Sequence, residues 1–331
     1  MTHAPLSASP VGAPANAASA IASATRREER RPRGPSMRWQ AAPYLFLLPY
    51  FVTCGLFFLY PLLYATVLAF YQTDGPARRV FVGLDNFRFV LQDVEFHKAL
   101  FNTTLFTVCS IAIQLPLSLA LAMLLNQKND RLKGVFRLII FAPNLVGQVF
   151  VGILFAMLFT PRFGLFNKLL HALVGWGLDQ QWLSDPHSVM PAVIIASLWL
   201  YVGFNMIYFL AALQNVDQTL VEAARIDGAN PWDVFLHVTV PAIAPVATFV
   251  VVTSTIGSFQ LFELPYTLLQ NYNAGFGPDN SGLTIVGYLY RQAFDTGDLG
   301  TGAAVGWLLT CIIFVVSLVQ IRLASRVGDE R

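Results

Sequence analysis

The sequence predicts an all-α membrane protein of six transmembrane helices with both termini in the cytoplasm. Three observations carry that prediction. Of 331 residues, 55% are apolar and 12% charged, with a mean hydropathy of +0.56, which lies outside the range of soluble globular domains. Apolar runs recur that are long enough to cross a hydrocarbon core of about 30 Å. Lys and Arg are shared unevenly between the connections, which sets the orientation.

The runs fall at about 43–72, 99–126, 134–160, 188–213, 242–264 and 300–323. Pro49 and Pro61 lie in the first and Pro116 in the second. Inside a bundle such prolines kink a helix rather than end it, because neighbouring helices satisfy the freed carbonyls. One set of connections holds Arg26, Arg27, Arg30, Arg31, Arg33 and Arg38, then Lys128, Arg131, Lys133 and Arg137, then Arg225, Arg322, Arg326 and Arg331. The other set holds half as many, 7 against 14. The richer side is the cytoplasmic one. Trp39, Trp176 and Trp182 stand at span boundaries, where an interfacial aromatic belt is expected. Asn271–Gly282, rich in Gly and Asn, reads as an external loop.

Residues 1–39 differ in kind. An Ala/Ser/Pro-rich stretch precedes an arginine cluster, the reverse of the order in a cleavable signal peptide. It reads as a disordered tail ending in a basic juxtamembrane anchor, with the transmembrane domain occupying 40–331.

Several chemistries are excluded. Cys54, Cys109 and Cys311 lie in three separate apolar runs, and the five histidines form no HxxxH or HExxH pair. No metal site, cofactor, catalytic residue or P-loop is expected.

The segment EAARIDGANPWDVFLHVTVP, Glu222–Pro241, puts charge between two apolar runs. Asp217 suits the N-cap of a short helix that Gly228 ends. Asn230 caps a second helix, with Pro231 at its first position and Asp233 three residues after the cap. Pro241 and Pro245 then open the fifth span. The small pair Ala223–Ala224 permits close approach by another protein; an amphipathic loop that merely closes the bundle fits the composition equally.

The spacing Glu222-Ala223-Ala224, Gly228, and Val238-Thr239-Val240-Pro241 resembles the signature of permease subunits in bacterial binding-protein-dependent ABC importers. Val82–Thr103, Phe163–Leu170, Gln181–Pro186, Trp199, Gly257–Tyr266 and Leu299–Leu309 are similar to the carbohydrate-uptake branch of that family. The loop GFGPDNS departs from the family's usual GGP. The resemblance implies the ABC importer permease fold, with a coupling helix in segment 217–241 that docks on a cytoplasmic ATPase through Glu222, Ala223, Ala224, Asp227 and Gly228. It also implies a second homologous permease, two cytoplasmic ATP-binding subunits, a periplasmic or lipid-anchored solute-binding protein, and alternating access in the bacterial inner membrane. Membrane lipid is expected as a partner and nucleic acid is not.

Polar residues within spans are costly and default to functional candidates. Ser197, Tyr201, Phe204, Asn205 and Tyr208 recur at helical spacing in the fourth span, and Ser258 and Gln260 lie in the fifth. Aromatic rings with hydroxyls and amides suit a carbohydrate pathway, although such residues also bond to their own helix or a neighbour. Asn144 is a lesser candidate, and Glu263 reads as a solvated boundary charge. Two alternatives remain at this stage, an importer of glycerol phosphate or another polyol derivative, and a proton-coupled carrier. The latter wants an ionisable relay, which the cores of the first four spans lack.

Overall fold

In lipid each backbone N–H must find a carbonyl within the protein, so uninterrupted apolar runs become helices. The computed structural model describes residues 37–75, 78–126, 133–175 and 177–329. The tail to residue 36 lies outside the described residues, and with it all but the end of the expected basic anchor. Lys128, Arg131, Trp176 and Arg331 lie outside them too. Two units divide the chain, Met1–Leu63 and Tyr64–Arg331.

Helix α1 (Met37–Cys54) passes through a π turn, Gly55–Leu59, into α2 (Tyr60–Leu68). The wide turn has its cause in Pro61, which offers no N–H to the carbonyl of Phe57 and crowds it. Tyr60 instead donates its N–H to the carbonyl of Gly55, so the apolar stretch Tyr44–Leu68 continues without a break.

A hairpin follows that the sequence did not announce. Strands β1 (Tyr71–Asp74) and β2 (Arg78–Phe81) pair antiparallel, with Tyr71 opposite Phe81. The first span therefore stops at Leu68 rather than 72. Short α3 (Asp85–Gln92) leads to α4 (Val94–Leu125), which Asp93 caps by accepting from the Glu95 N–H.

The expected third span, 134–160, is not one rod. Helix α5 (Lys133–Phe141) and α6 (Gln148–Leu158) meet at 98° across a tight turn at Ala142–Leu145. Pro143 cannot continue the hydrogen-bond ladder, and Gly147 adopts extended angles before α6. Amphipathic α7 (Leu165–Val174) precedes the long α8 (Pro186–Gln214), which contains the expected fourth span. Then come α9 (Gln218–Ile226), α10 (Pro231–Val234), a second π turn at Phe235–Thr239, and α11 (Val240–Phe259).

The fifth span thus begins at Pro231 and ends at Phe259, short of the expected 264. The stop places Pro265 in the first turn of a new helix, α12 (Glu263–Leu268), where a missing N–H costs nothing. Glu263 accordingly lies outside the span and is exposed. After short turns come α13 (Ile285–Tyr290), a third π turn at Arg291–Asp295, and α14 (Leu299–Asp329). Among the described residues five helices are long and apolar enough to cross a membrane, and six if the bent pair counts as one.

Lipid tails are as apolar as Leu, so helices associate through close packing and hydrogen bonds rather than the hydrophobic effect. Helices α4 and α8 form the centre. The Ser118 hydroxyl, fully buried, donates to the Val202 carbonyl at 2.9 Å, a contact of the kind worth about 0.6–2 kcal/mol. At the other end of α4, the Asn102 amide donates to the carbonyls of Asn280 and Leu283, both at 3.0 Å. The Thr103 hydroxyl accepts the Ile285 N–H at 3.0 Å. Together these tie α4 to the start of α13. Helix α5 meets α8 backbone to backbone, and a Cβ on Gly203 would stand 1.9 Å from the Ile140 carbonyl oxygen.

Gly203→Ala must therefore part α5 from α8, at a cost of about 1–3 kcal/mol typical of overpacking. Gly134→Ala on α5, where nothing lies within 4 Å of the added carbon, serves as the control. Thermal melts in detergent should show a clear loss for the first and none for the second.

Candidate functional site

Two places in Tyr64–Arg331 gather the candidate residues. The first is the connection between α8 and α11. Asp217 accepts the Thr219 N–H at 2.8 Å and the Thr219 hydroxyl at 2.8 Å, which starts α9. The hydroxyl, and then the N–H, holds the Asp217 carboxyl below its ordinary range. With the folded value depressed, the cap's contribution is present above pH ~4 and is lost as pH falls through the lowered value.

Helix α9 ends as Gly228 requires. Its φ is +87°, the left-handed region that side chains rarely enter. Gly228 N–H bonds the Arg225 carbonyl at 3.1 Å and Ala229 N–H bonds that of Ala224 at 3.0 Å, a Schellman closure. Two residues later the Asn230 side chain accepts from the N–H groups of Trp232 (2.9 Å) and Asp233 (3.0 Å), with Pro231 at the first helical position. The predicted helix–Gly–helix shape is present, although the second helix runs on through the π turn into α11 rather than stopping before Pro241.

Glu222, Ala223, Asp227 and Gly228 are exposed and Ala224 is half-buried. Among the described residues no ion pair engages Glu222 or Asp227. Ile226 and Trp232 are also exposed, at 85% and 64%. An exposed Trp is a residue type enriched at protein contacts.

The second place is a cavity of about 310 Å³. Helix α8 contributes Tyr201, Phe204 and Asn205, and the end of α11 contributes Ser258, with Gln260 just beyond. Five of the seven predicted pathway residues therefore come together. Ser197 does not join them, because its hydroxyl is fully buried and donates to the Ile194 carbonyl at 2.8 Å. Tyr208 lies outside the lining, its ring packed on Phe204 at 5.1 Å and Phe249 at 5.7 Å. Asn144 sits in the turn between α5 and α6 and also lies outside it.

Other helices supply residues that sequence reasoning missed. Phe106 and Gln114 come from α4, Gln148 from the first position of α6, and Thr253, Ser254 and Gly257 from α11. Gln114 is polar within a span and was open to discovery on that ground. Gln148 was hidden by the assumption of a straight third span. Within the lining only Asn205 and Ser254 pair side chain to side chain, at 3.4 Å, and Thr253 bonds to its own helix. The side chains of Gln114, Gln148, Tyr201, Ser258 and Gln260 have no hydrogen bond among the described residues. Such groups are retained in an apolar setting where water or a ligand meets them. Among the described residues no charged side chain lines the cavity.

Residues 114–329 match the family model "Binding-protein-dependent transport system inner membrane component". The chain belongs to this family. Over 292 residues it is 39% identical to the arabinooligosaccharides transport system permease protein AraP of Bacillus subtilis, covering 88% of this chain and 91% of that one. It is 37% identical to the lactose transport system permease protein LacF of Rhizobium radiobacter, covering 84% and 92%. It is 31% identical to the sn-glycerol-3-phosphate transport system permease protein UgpA of Yersinia pestis, covering 89% and 98%. The fold is that of a chain in a bacterial alginate ABC transporter solved with its pentasaccharide-bound periplasmic protein, with a TM-score of 0.76 at 22% identity, covering 90% and 99%. The permease is thus an inner-membrane transport component with several membrane-spanning helices.

The caps of the 217–231 segment are testable without knowing its partner. Asn230→Ala should destabilise α10 by about 1 kcal/mol, and Asn230→Gly by only a few tenths. Faster amide hydrogen exchange at Trp232 and Asp233 in the Ala variant would register the loss.

Proposed function

We propose that this permease forms half of the translocation pathway of an ATP-driven sugar importer, and that the pathway passes through the cavity between α4, α8 and α11. The observation that supports it best is the cavity's chemistry. Phe204 and Tyr201 offer ring surface, while Gln114, Gln148, Ser258 and Gln260 offer amides and a hydroxyl not committed elsewhere. Ring surface with neutral donors and acceptors suits a polyhydroxylated, uncharged solute. The relatives AraP and LacF, named for arabinooligosaccharides and lactose, point the same way.

The glycerol-phosphate reading has a relative in its favour, but among the described residues no Lys or Arg lines the cavity for a phosphate. A proton-coupled carrier working alone is disfavoured by the absence of any carboxylate from the lining.

The exposed segment of Glu222, Ala223, Ala224, Asp227 and Gly228 is the proposed contact with a separate cytoplasmic ATP-binding subunit. That assignment puts the α9–α10 connection and both termini in the cytoplasm, as the Lys and Arg distribution expects. Two such ATPases, a second homologous permease and a solute-binding protein at the other face complete the assembly. ATPase closure would then turn the pathway outward and reopening would turn it inward, with ATP hydrolysed on the partner subunits and none on this chain.

Uptake measured in vesicles carrying the assembled transporter tests both halves. Transport should require ATP and the ATPase subunits; uptake driven by a proton gradient alone would sink the reading. Gln260→Leu removes a hydrogen bond to a neutral solute, worth about 0.5–1.5 kcal/mol. Sugar uptake at low concentration should therefore fall roughly 2–10-fold, with ATPase co-purification unchanged. Gly228→Pro cannot adopt the positive φ, so it should lose ATPase co-purification while membrane insertion persists.

A further inference from the structure

Helix α7 divides into two faces. Its inner face is engaged by the fold. The Phe166 ring packs on Phe159 at 5.1 Å and on Trp182 at 5.4 Å. Asn167, fully buried, accepts the Trp182 indole N–H at 2.6 Å and donates to the Gln180 carbonyl at 2.9 Å. The outer face carries Leu165, Leu169 and Leu173, spaced four apart and so in one row, exposed at 68%, 57% and 75%. At 3.6 residues per turn Lys168 lies beside Leu165 and His171 beyond it, both on the same side of the row. Both are exposed, and Lys168 belongs to no ion pair among the described residues.

Where α7 sits narrows what covers the row. Its 10 residues span about 15 Å at 1.5 Å per residue, half of a hydrocarbon core of about 30 Å, so it cannot cross. It follows α6 through a closed turn, in which the Thr160 N–H bonds the Met157 carbonyl at 3.3 Å and the Gly164 N–H bonds the Thr160 carbonyl at 2.8 Å. Helix α6 exposes Phe150 and Met157, seven residues apart on one face, as a lipid-facing span does. Helix α7 therefore starts at the level where α6 leaves the hydrocarbon. It stands at the Asp185-capped end of α8, whose 29 residues separate it from the α9 segment. An apolar row with cations along one flank suits a helix lying in the membrane–water boundary, with its leucines among acyl chains and its ammonium among phosphates.

We propose that α7 lies in the plane of the phospholipid boundary opposite the α9 segment, with Leu165, Leu169 and Leu173 among acyl chains and the Lys168 ammonium on lipid phosphate. A solute-binding protein or a second permease would cover the leucines, but a protein contact is rimmed by polar groups on all sides. This row has cations on one side only and is bordered on the other by the buried face that carries Phe166. The lipid boundary has the same one-sided order, from hydrocarbon to charge. Held there, α7 fixes the far end of the bent third span at the membrane surface, and through Asn167 and Trp182 the approach to α8.

Two measurements on the full chain in phospholipid nanodiscs test this. A nitroxide at Leu169→Cys, in a chain carrying Cys54→Ala, Cys109→Ala and Cys311→Ala, should relax faster with oxygen, which partitions among acyl chains, than with a water-soluble nickel chelate. A nitroxide at His171→Cys should show the reverse order. Adding Lys168→Glu should lower the oxygen-to-chelate ratio at position 169 about twofold, because phosphate repels the new carboxylate. Greater access of the chelate than of oxygen at Leu169→Cys would overturn the proposal and make the row a water-facing protein contact. Low access of both reagents would mark cover by a second copy and overturn it as well. An unchanged ratio in Lys168→Glu would overturn the phosphate contact. Photolabelling of the unsubstituted chain by a carbene carried on a phospholipid acyl chain needs no cysteine replacement. Adducts on Leu165, Leu169 or Leu173 are expected, and their absence from α7 beside a labelled α6 would overturn the proposal.

Discussion

The backbone contact between Ile140 and Gly203 is the constraint on which the proposed pathway cavity depends. It brings α5 against α8 at the residue before Phe204 and Asn205, two of the cavity's lining groups. With α5 held there, Pro143 and Gly147 turn the chain through 98°, and the first residue after the turn is Gln148, another lining group. A straight third span would have run past the cavity without entering it. In a medium that provides no hydrophobic drive between helices, this arrangement rests on a missing side chain and a helix that cannot continue. Gly152 repeats the device beyond the turn, since a Cβ there would meet the Thr267 hydroxyl at 1.9 Å.

Besides the prolines carried inside α-helices, Pro116, Pro191 and Pro245, proline is handled in two ways, and the difference decides where the bundle is continuous. Pro61 and Pro241 each stand six residues after the first residue of a π turn, Gly55 and Phe235 respectively. In both, the residue before the proline donates across the wider turn, and the helix goes on. Pro265 instead falls in the first turn of a fresh helix, and Pro143 in the short turn that ends α5 just before the bend. The first treatment keeps rods that span the membrane. The second makes the corners where polar side chains can be aimed inward.

These differences mark what was legible in the sequence. Apolar length placed α4, α8 and α14, the first two running on through Pro116 and Pro191. Local capping chemistry made the 217–231 segment readable residue by residue: Asp217, Gly228 and Asn230 each act within three or four residues of themselves. Polar spacing on α8 located Tyr201, Phe204 and Asn205, but Ser197 and Tyr208 share that spacing and are spent on a backbone carbonyl and on ring packing. Which face of α8 meets the cavity is a tertiary fact. The contributions of α4 and α6 were invisible for the same reason, and the hairpin at Tyr71–Phe81 was absorbed into an apolar run whose last residues pair across strands.

The two proposed sites are joined by one element. Pro231–Phe259 is a single run of 29 helical residues, about 43 Å long at 1.5 Å per residue. Asn230, its cap, closes the proposed docking segment, and Ser258, near its far end, lines the cavity. A rod of that length transmits displacement or rotation from one end to the other, provided its backbone ladder holds. Its ladder is shifted by one residue at the π turn Phe235–Thr239 and lacks an N–H at Pro245, neither beyond the midpoint from the proposed docking end. On the proposed reading, bending is therefore concentrated in the half of the rod nearer the ATPase contact. The part of the rod carrying Thr253, Ser254 and Ser258 then moves as a unit past Asn205.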